Sequence, residues 1–380
     1  MRIAYFSEVY WPMVSGVSNT LIRTVDGLRR RGHAARVYAP AYPLPPDAVD
    51  RPEVHRSRGA PLFLDPAIQW ATPRLGEILA DLAAFRPDIV HVLTEFPMGR
   101  AGVRAARMLG VPVVSSAHTD YEQYAPLYGL GWILGIGWGY LRRHYAQTEV
   151  VLAPSRQFET RLRARGVLNT GVWSRGVDPA AFAPSNRSDL YRARMGCGPG
   201  DLLITCVSRL APEKGIPALL AAWERLKPVR GSAQLVLVGG GLLEERLRRA
   251  RPEGVHLTGT LSGAALAAAY ASADIFAFPS TTETFGNVLL EAMASGVASV
   301  AMRAGGVTEF ASHGHNCLLA DPEDPEALST QLGLMMADAE TRRRLATGAR
   351  ETALNRSWDA VLDQLLLTYT GYTLRQARAA

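Results

Sequence analysis

Two glutamates stand in the stretch "STTETFGNVLLEAMASG", in which Glu283 precedes an apolar helical pattern and Glu291 lies inside it. A carboxylate is seldom buried unless a cation or a ligand compensates for its lost hydration. If the helix begins near Gly286 or Asn287, its free N–H groups can hold a phosphate, and Glu291 lies roughly 5 Å further along the axis. A ligand with a central diphosphate and a sugar at each end would satisfy both carboxylates, and a nucleotide sugar has that form.

A cationic loop in the stretch "CVSRLAPEKGIPALLAAW" follows a predicted strand and carries Arg209 and Lys214. Two cations at this spacing can converge on one diphosphate, with arginine as a fork and lysine as a point charge. The alternative is a solvated loop in which Glu213 neutralises one of them. Of 41 basic residues only Lys214 and Lys227 are lysines, and this scarcity favours the phosphate site.

Glycines in the stretch "LVLVGGGLLEERL" separate a predicted strand from a helix, beginning with Gly239. Such a turn suits close approach of the backbone to a phosphate. The dinucleotide-binding pattern G-x-G-x-x-G occurs nowhere in the chain, which disfavours a hydride-transfer enzyme.

Two loops in the first half also follow predicted strands. Gly16 lies in "VYWPMVSGVSNTLIRTVDGL", just before a helix that opens at about Val17, and either a bound anion or a tight turn explains it. The stretch "SSAHTDY" places His118 and Asp120 at a carboxyl edge, where a histidine bonded to the backbone is as common as a ligand-binding one. We name Asp120, Tyr121 and Tyr124 as acceptor-binding candidates, with a turn role as the alternative for Asp120.

The segment "PLYGLGWILGIGWGYLRRH" contains Trp132 and Trp138 and has no charged residue before Arg142. Its order of aromatic then basic residues suits a lipid interface, whereas a buried helix lining an acceptor pocket is the interpretation that we favour. It is too short and glycine-rich to predict a membrane span.

The elements that would position these loops are strands that alternate with helices along nearly the whole chain, which predicts an α/β fold with parallel sheets. Five strands are predicted in each half, and the pattern restarts near residue 200. We therefore expect an acceptor-binding domain at 1–185, a nucleotide-sugar-binding domain at 186–355, and a closing helix at 356–380 that packs on the first domain. Ligands are expected beyond the carboxyl ends of the strands.

Composition agrees with two domains, since 380 residues with 48% hydrophobic content provide apolar material for two cores. The net charge of +6 arises from scattered arginines, and no nucleic-acid module is recognisable. Three cysteines without a metal-ligand spacing, and an N-terminus without a signal peptide, predict a cytoplasmic protein, with the inner face of the membrane as a location for peripheral contact.

These motifs together resemble the retaining glycosyltransferases of family 4, from "PMVSGVSN" to "GHNCLLADPEDPEAL", with the spaced glutamates as "ETFGNVLLE". The resemblance implies a GT-B fold, in which two Rossmann-like domains face each other across a cleft. It also implies that Glu283 contacts the donor sugar, that Glu291 binds the ribose, and that Gly16 and His118 face the transferred sugar. The expected donor-binding residues are Gly16, Arg209, Lys214, Gly239, Glu283, Thr284, Phe285, Gly286, Asn287, Val288 and Glu291, and the expected catalytic residues are His118, Arg209, Lys214 and Glu283.

Among the branches of this family, "HTDY", "WSRGVDPAAF" and "TETFGNVLLEAMASG" look most like bacterial α-mannosyltransferases that use GDP-mannose. Sulfoquinovosyl and glucosyl relatives, which use UDP-sugars, carry similar strings. We expect a lipid or a small sugar or polyol as acceptor. The anomeric configuration should be retained through an oxocarbenium-like front-side transfer, in which a donor phosphate oxygen takes the acceptor proton. No metal or other cofactor is expected, and the chain contains no Asp-x-Asp motif.

Three other interpretations remain open. A nucleotide-sugar epimerase would change the sugar without an acceptor. A phosphorylase of this fold would need a lysine for pyridoxal phosphate, for which Lys227 is a poor candidate. A non-enzymatic nucleic-acid or membrane adaptor would leave Glu283 and Glu291 without a role and would show steep salt dependence of binding.

Overall fold

A computed structural model describes residues 1–44, 49–62, 65–127 and 129–379. The described residues form two parallel sheets and one antiparallel hairpin, which confirms the α/β prediction. All ten strands predicted from the sequence are present. The strands are β1 (Arg2–Phe6), β2 (Ala34–Pro40), β3 (Val54–Ser57), β4 (Gly59–Leu62), β5 (Asp65–Ala71), β6 (Ile89–Val92), β7 (Val113–Ser116), β8 (Val150–Ala153), β9 (Thr170–Val172), β10 (Leu203–Val207), β11 (Gln234–Val238), β12 (Val255–Gly259), β13 (Ile275–Phe278), β14 (Ala298–Met302) and β15 (Leu318–Ala320).

Helices connect most of the strands, as parallel pairing requires. They are α1 (Gly16–Arg30), α2 (Leu75–Phe85), α3 (Pro97–Met108), α4 (Tyr121–Leu127), α5 (Leu134–Tyr145), α6 (Arg156–Ala164), α7 (Asp189–Arg194), α8 (Ile216–Arg225), α9 (Glu244–Arg249), α10 (Gly263–Ala271), α11 (Asn287–Ala294), α12 (Ala327–Ala337), α13 (Ala339–Leu354) and α14 (Trp358–Ala379). Short 3-10 turns lie at Gly131–Ile133, Pro184–Asn186, Pro212–Lys214 and Gly305–Glu309.

The first compact unit comprises Met1–Thr119, Trp132–Arg175 and Trp358–Ala380. Its seven-stranded sheet has the order β3-β2-β1-β6-β7-β8-β9, and β4 and β5 form a separate hairpin. The order reverses beside β1, so the carboxyl ends of β1 and β6 flank the place where ligands bind in open sheets of this kind.

The second unit comprises Asp120–Gly131 and Gly176–Ser357. Its six-stranded sheet has the order β12-β11-β10-β13-β14-β15, which reverses between β10 and β13. Apolar side chains cover both faces of this sheet in two separate clusters. Since both faces are buried, its strands are nearly continuous apolar runs, and this is why sequence reasoning could find them.

The boundaries of the units differ from those expected from the sequence. The chain enters the second unit at Gly176 instead of 186, because the turn-rich segment that follows is bonded to that unit: Arg350 donates to the carbonyls of Pro179 and Phe182. Composition identifies this segment as a loop but does not say on which unit it packs. Residues 120–131 also group with the second unit, although the sequence analysis assigns them to the first.

The last helix, α14, belongs to the first unit. Leu362, Leu365 and Tyr369 are fully buried in the same apolar cluster as Ile3 and Tyr5 of β1. Burying a large apolar side chain contributes about 1.5–3 kcal/mol, so these three contacts fix the helix firmly to the sheet.

Candidate active site

Three of the expected donor-binding residues lie on two neighbouring loops of the second unit. Arg209 and Lys214 follow β10, and Glu283 follows β13. These two strands pair in parallel on either side of the point where the strand order reverses. Both loops therefore leave the carboxyl edge of the sheet at its topological switch point, the ligand-binding position of open α/β sheets.

An ion pair joins the two loops, since Nζ of Lys214 lies 2.7 Å from Oε1 of Glu283. Only 12% of the Lys214 side chain and 17% of the Glu283 side chain are exposed. Burial would raise the pKa of Glu283, but the charge of Lys214 and hydrogen bonds from Lys214 and Ser280 hold it below the usual value. Burial acts on Lys214 in the opposite sense, and Glu283 and Tyr124 nevertheless raise its pKa. Both groups are therefore charged at neutral pH.

Tyr124 of α4 completes this cluster within the second unit. Its hydroxyl accepts a hydrogen bond of 3.4 Å from Nζ of Lys214, and the centre of its ring lies 5.9 Å from the same atom. The structure thus places one expected acceptor-binding residue beside the expected phosphate-binding lysine.

Arg209 pairs with Glu213, at 2.7 Å between Nη2 and Oε1. The Glu213 side chain is fully buried, whereas 51% of the Arg209 side chain is exposed and can reach a ligand. The sequence left open whether Glu213 neutralises one of the two cations, and the structure shows that it pairs with Arg209. Thr282 donates to the carbonyl of Glu213, which is a second link between the two loops.

The loop before α11 has a conformation that depends on Gly286. This residue has φ +101°, and a Cβ atom there would lie 2.6 Å from Cγ1 of Val307. Phe285 is buried and its ring lies 5.1 Å from that of Phe310. The amide of Gly306 donates to the carbonyl of Glu283 over 2.7 Å, so the loop after β14 is bonded to the loop that is expected to contact the donor sugar.

Helix α11 begins at Asn287, as the sequence predicts. Its Glu291 carboxylate accepts a hydrogen bond of 2.8 Å from the hydroxyl of Tyr270, which is fully buried. Burial and the Glu291 charge raise the pKa of Tyr270 well above its usual value, so this hydroxyl stays protonated and donates. Ser295, one turn after Glu291, is buried and donates to the carbonyl of Glu291.

Gly239 follows β11 and has a packing reason for being a glycine. Its φ is +137°, and a Cβ atom there would lie 1.9 Å from the carbonyl oxygen of Ser208 in the loop after β10. Any side chain would therefore push apart the loop that carries Arg209. The phosphate-binding role of Gly239 stays a prediction.

In the first unit, His118 follows β7 and lies against a buried cation. Nη2 of Arg175 is 3.0 Å from Nδ1 of His118. The guanidinium of Arg175 lies over the ring of Trp173 at 4.5 Å and donates to the carbonyls of Trp173 and Ser174. Burial, with the charge of Arg175 and the neighbouring His91, lowers the pKa of His118 well below its usual value, so the imidazole is neutral.

Gly16 is the first residue of α1. Ser15 caps this helix and accepts from the amide of Ser18, whose hydroxyl in turn accepts from the amide of Ser15. The loop after β1 therefore ends in an ordered helix start, and the anion-binding role of Gly16 stays a prediction.

The remaining acceptor-binding candidates lie at the start of α4. Asp120 is 3% exposed, and its carbonyl accepts from the amides of Gln123 and Tyr124. Tyr121 is half-buried. Residue 128, which belongs to the tryptophan-rich segment that follows, lies outside the described part.

The tryptophan-rich segment has features of both interpretations given above. Trp138 of α5 is buried, whereas Trp132 is 80% exposed and Ile136, one turn further on, is 77% exposed. Within the described part of the chain, no helix combines the length and the apolar character needed to cross a bilayer. The same described residues contain no cluster of three histidine, cysteine or acidic side chains that could hold a metal ion.

Sequence reasoning missed three residues that support the site. Arg175 stands in "WSRGVDPAAF", where a lone arginine at the end of a strand–turn unit was the signal that could have found it. Tyr270 lies in the alanine-rich helix α10, and Gly306 in the loop after β14. Nothing in the local sequence around Tyr270 or Gly306 indicates contact with residues 20 or more positions away.

Comparison with known proteins identifies the family to which the chain is similar. The family model "Glycosyltransferase Family 4" matches residues 14–181, and "Glycosyl transferases group 1" matches residues 201–338. The chain is 37% identical to a GDP-mannose-dependent alpha-mannosyltransferase of Mycolicibacterium smegmatis, covering 100% of both chains. It is 32% identical to the sulfoquinovosyl transferase SQD2 of Arabidopsis thaliana over 96% of this chain and 72% of that protein. Anabaena HepE, solved with UDP and glucose, shares the fold at a TM-score of 0.76, with 23% identity and coverage of 97% and 99%.

Proposed function

The chain belongs to glycosyltransferase family 4, and from that membership we propose that it transfers mannose from GDP-mannose to a hydroxyl of its acceptor, with retention of the α configuration. The observation that carries this proposal is the Lys214–Glu283 ion pair at the switch point of the second sheet. It joins a cation suited to a diphosphate and a carboxylate suited to sugar hydroxyls in one preorganised pair. The full-length similarity to mannosyltransferases supports the choice of donor.

Electrostatics at this site favour departure of a nucleoside diphosphate. Negative charge accumulates on the diphosphate as the glycosidic bond breaks, and Lys214 and Arg209 oppose it. The free amides at the start of α11 lie at the positive end of the helix dipole and would also stabilise this negative charge. The proposed role of Glu283, whose carboxylate is ionised, is to accept hydrogen bonds from hydroxyls of the transferred sugar.

Glu291 is proposed to bind the ribose of the donor. Its carboxylate is oriented by Tyr270 and lies on the helix whose N-terminus would face the diphosphate. A carboxylate accepts from two vicinal hydroxyls, as a ribose presents. About one helical turn separates Glu291 from the N-terminus of α11. This spacing fits a nucleoside diphosphate whose diphosphate lies at the start of the helix and whose ribose lies at Glu291.

The proposed reaction needs no metal, because the cations and the helix N-terminus oppose the charge of the leaving group. Retention would follow from attack on the same face from which the diphosphate leaves, with a phosphate oxygen taking the acceptor proton. The transition state would have oxocarbenium character.

We propose that the acceptor is a lipid or a small sugar or polyol, and that the protein touches the inner face of the cell membrane from the cytoplasm. Exposed Trp132 and Ile136, followed by Arg142 and Arg143, form an apolar patch with adjacent positive charge, which suits an anionic lipid surface. The three cysteines are buried thiols, in agreement with a reducing compartment.

The test of the proposed function is a donor panel. The purified protein is incubated with GDP-, UDP- and ADP-sugars and candidate acceptors, with and without EDTA, and the product is analysed by NMR for its anomeric configuration. We expect α-linked transfer from GDP-mannose that EDTA does not reduce. Preference for a UDP-sugar would refute GDP-mannose as the donor, and loss of activity in EDTA would refute the metal-free reaction. A changed sugar formed without an acceptor would indicate an epimerase.

A further inference from the structure

Arg175 is a buried cation that the proposed reaction does not yet use. It is 3% exposed, and it forms no ion pair with an acidic side chain among residues 1–44, 49–62, 65–127 and 129–379. Burial lowers the pKa of Arg175 to about 9, so the guanidinium still carries its charge at neutral pH. Burying a cation without a carboxylate is costly, which indicates a role beyond packing.

The contacts of Arg175 aim one nitrogen at a histidine. Its Nη1 donates to two carbonyls of its own loop, and the group lies over the Trp173 ring, so the guanidinium plane is held in place. Nη2 then lies 3.0 Å from Nδ1 of His118. A guanidinium has only N–H donors, and therefore Nδ1 must be the acceptor of this bond.

The tautomer of His118 follows from that assignment. A neutral imidazole has one protonated and one unprotonated nitrogen. Because Nδ1 accepts, the proton of the ring resides on Nε2. The low basicity of this buried ring excludes the doubly protonated form at neutral pH.

We propose that Arg175 is a positioning residue, which fixes His118 as the neutral tautomer with its proton on Nε2 and thereby makes the ring a hydrogen-bond donor to an oxygen of the transferred hexose. This inference rests on the proposed function and on the expectation, implied by the family resemblance, that His118 faces that sugar. Its consequence is chemical: an Nε2 that already carries a proton cannot take one from the acceptor hydroxyl. His118 is then excluded as the general base, and the acceptor proton leaves by the phosphate oxygen.

The first test observes the tautomer directly in the wild-type protein. Long-range proton–nitrogen correlation spectra of protein labelled with 15N-histidine distinguish protonated from unprotonated ring nitrogens, and the spectrum of His118→Gln assigns the signals. We expect Nδ1 unprotonated, Nε2 protonated, and no titration between about pH 6 and pH 8. A proton on Nδ1, or titration within that range, would overturn the proposal.

The second test measures transfer by Arg175→Met, Arg175→Lys and the matched control Arg230→Met. Arg230 is similarly buried over a tryptophan ring, at 4.4 Å from Trp223, and donates to two carbonyls, but it lies away from the proposed site. We expect Arg175→Met to lower kcat about tenfold or more, and Arg175→Lys to restore part of it, since lysine also donates to Nδ1. The control should retain wild-type kcat.

A double-variant cycle separates positioning from general damage. If Arg175 acts through His118, then Arg175→Met causes little further loss of kcat in the His118→Gln background. An equal fold-loss in both backgrounds would contradict the proposal. The NMR measurement requires no activity, so a protein that transfers no hexose from any donor would refute the proposed function while the tautomer is still determined.

Discussion

Lys214 and Glu283 come from loops 69 residues apart and form a buried ion pair with 2.7 Å between Nζ and Oε1. Under the proposed function, Lys214 would contact a phosphate of the donor and Glu283 would accept hydrogen bonds from sugar hydroxyls. Removing one partner has two effects, because it deletes a ligand contact and also leaves an uncompensated buried charge. Single and double variants should therefore separate binding from stability.

Lys214→Met is expected to lower both the transfer rate and the free energy of unfolding. The loss of stability should be about 3 kcal/mol, since the Glu283 carboxylate loses its cation. The double variant Lys214→Met/Glu283→Gln should recover most of that stability, whereas its transfer rate should stay about 100-fold below the wild type. Urea unfolding and initial-rate assays measure the two quantities.

The control for this series is Lys227→Met. Lys227 and its partner Glu253 are 61% and 80% exposed and lie 3.6 Å apart, so their loss should change stability by less than about 0.5 kcal/mol. Near-normal transfer by the double variant would show that the Lys214–Glu283 pair is only structural.

Tyr270→Phe is expected to weaken nucleotide binding. The change removes the hydroxyl that donates to Glu291 and leaves the ring in place, so the carboxylate loses an orienting bond. We expect the dissociation constant for GDP to rise about fivefold, measured by calorimetry. Tyr191→Phe is the control, because it also deletes a buried hydroxyl in the same unit, one that forms no hydrogen bond in the described part of the chain. Equal affinities of wild type and Tyr270→Phe would argue against the role of Glu291.

Glu8 is expected to make stability depend on pH. Burial raises its pKa to about 7, although Thr94 and the amide of Met98 donate to it, and the nearby Glu95 adds to the rise. The pKa of Glu8 in the folded protein exceeds its ordinary value of 4.5. The contribution of protonated Glu8 to the free energy of unfolding is therefore complete below pH 4.5 and is lost as the pH rises through about 7.

Glu8→Gln, which keeps a neutral group, should therefore gain stability over the wild type across that range, on the order of 3 kcal/mol. Urea unfolding at a series of pH values measures the difference. Glu245→Gln is a surface control, at 77% exposure, and should follow the wild-type profile. A parallel profile for Glu8→Gln would mean that Glu8 is ionised when the protein is folded.

Trp132→Ser/Ile136→Ser is expected to weaken binding to vesicles that contain anionic phosphatidylglycerol. Each side chain contributes apolar area to the proposed lipid contact, so the partition coefficient should fall at least about tenfold in a sedimentation assay. Leu367→Ser removes a side chain that is similarly exposed, at 75%, from α14 and should leave binding unchanged. Equal losses in both variants would point to a nonspecific effect of surface polarity.

The sequence was sufficient for the parts of the fold with strong periodicity. Strands such as β10 and β13 are buried on both faces and therefore read as apolar runs between turn residues. The edge strands β9 and β15 are three residues long, and their pairing depends on the neighbouring strand more than on their own composition. Such short edges could not be predicted.

In the candidate site, individual residues could be predicted from the sequence, whereas their contacts could not. Glu283 and Lys214 could be identified because a charged residue in an apolar or lysine-poor context requires a reason. Their contact across 69 positions could not, since it depends on which strands become neighbours. Arg175 and Tyr270 act by touching His118 and Glu291, and only the folded chain shows that such distant residues meet.

The discontinuity of the first unit has a consequence for synthesis. Residues 358–379 leave the ribosome after the whole of the second unit, yet they supply Leu362, Leu365 and Tyr369 to the interior around β1. The nascent first unit must therefore wait with an uncovered apolar surface while the second unit folds. Chaperone dependence in the cell should accordingly be set by the time that translation takes to reach the final helix.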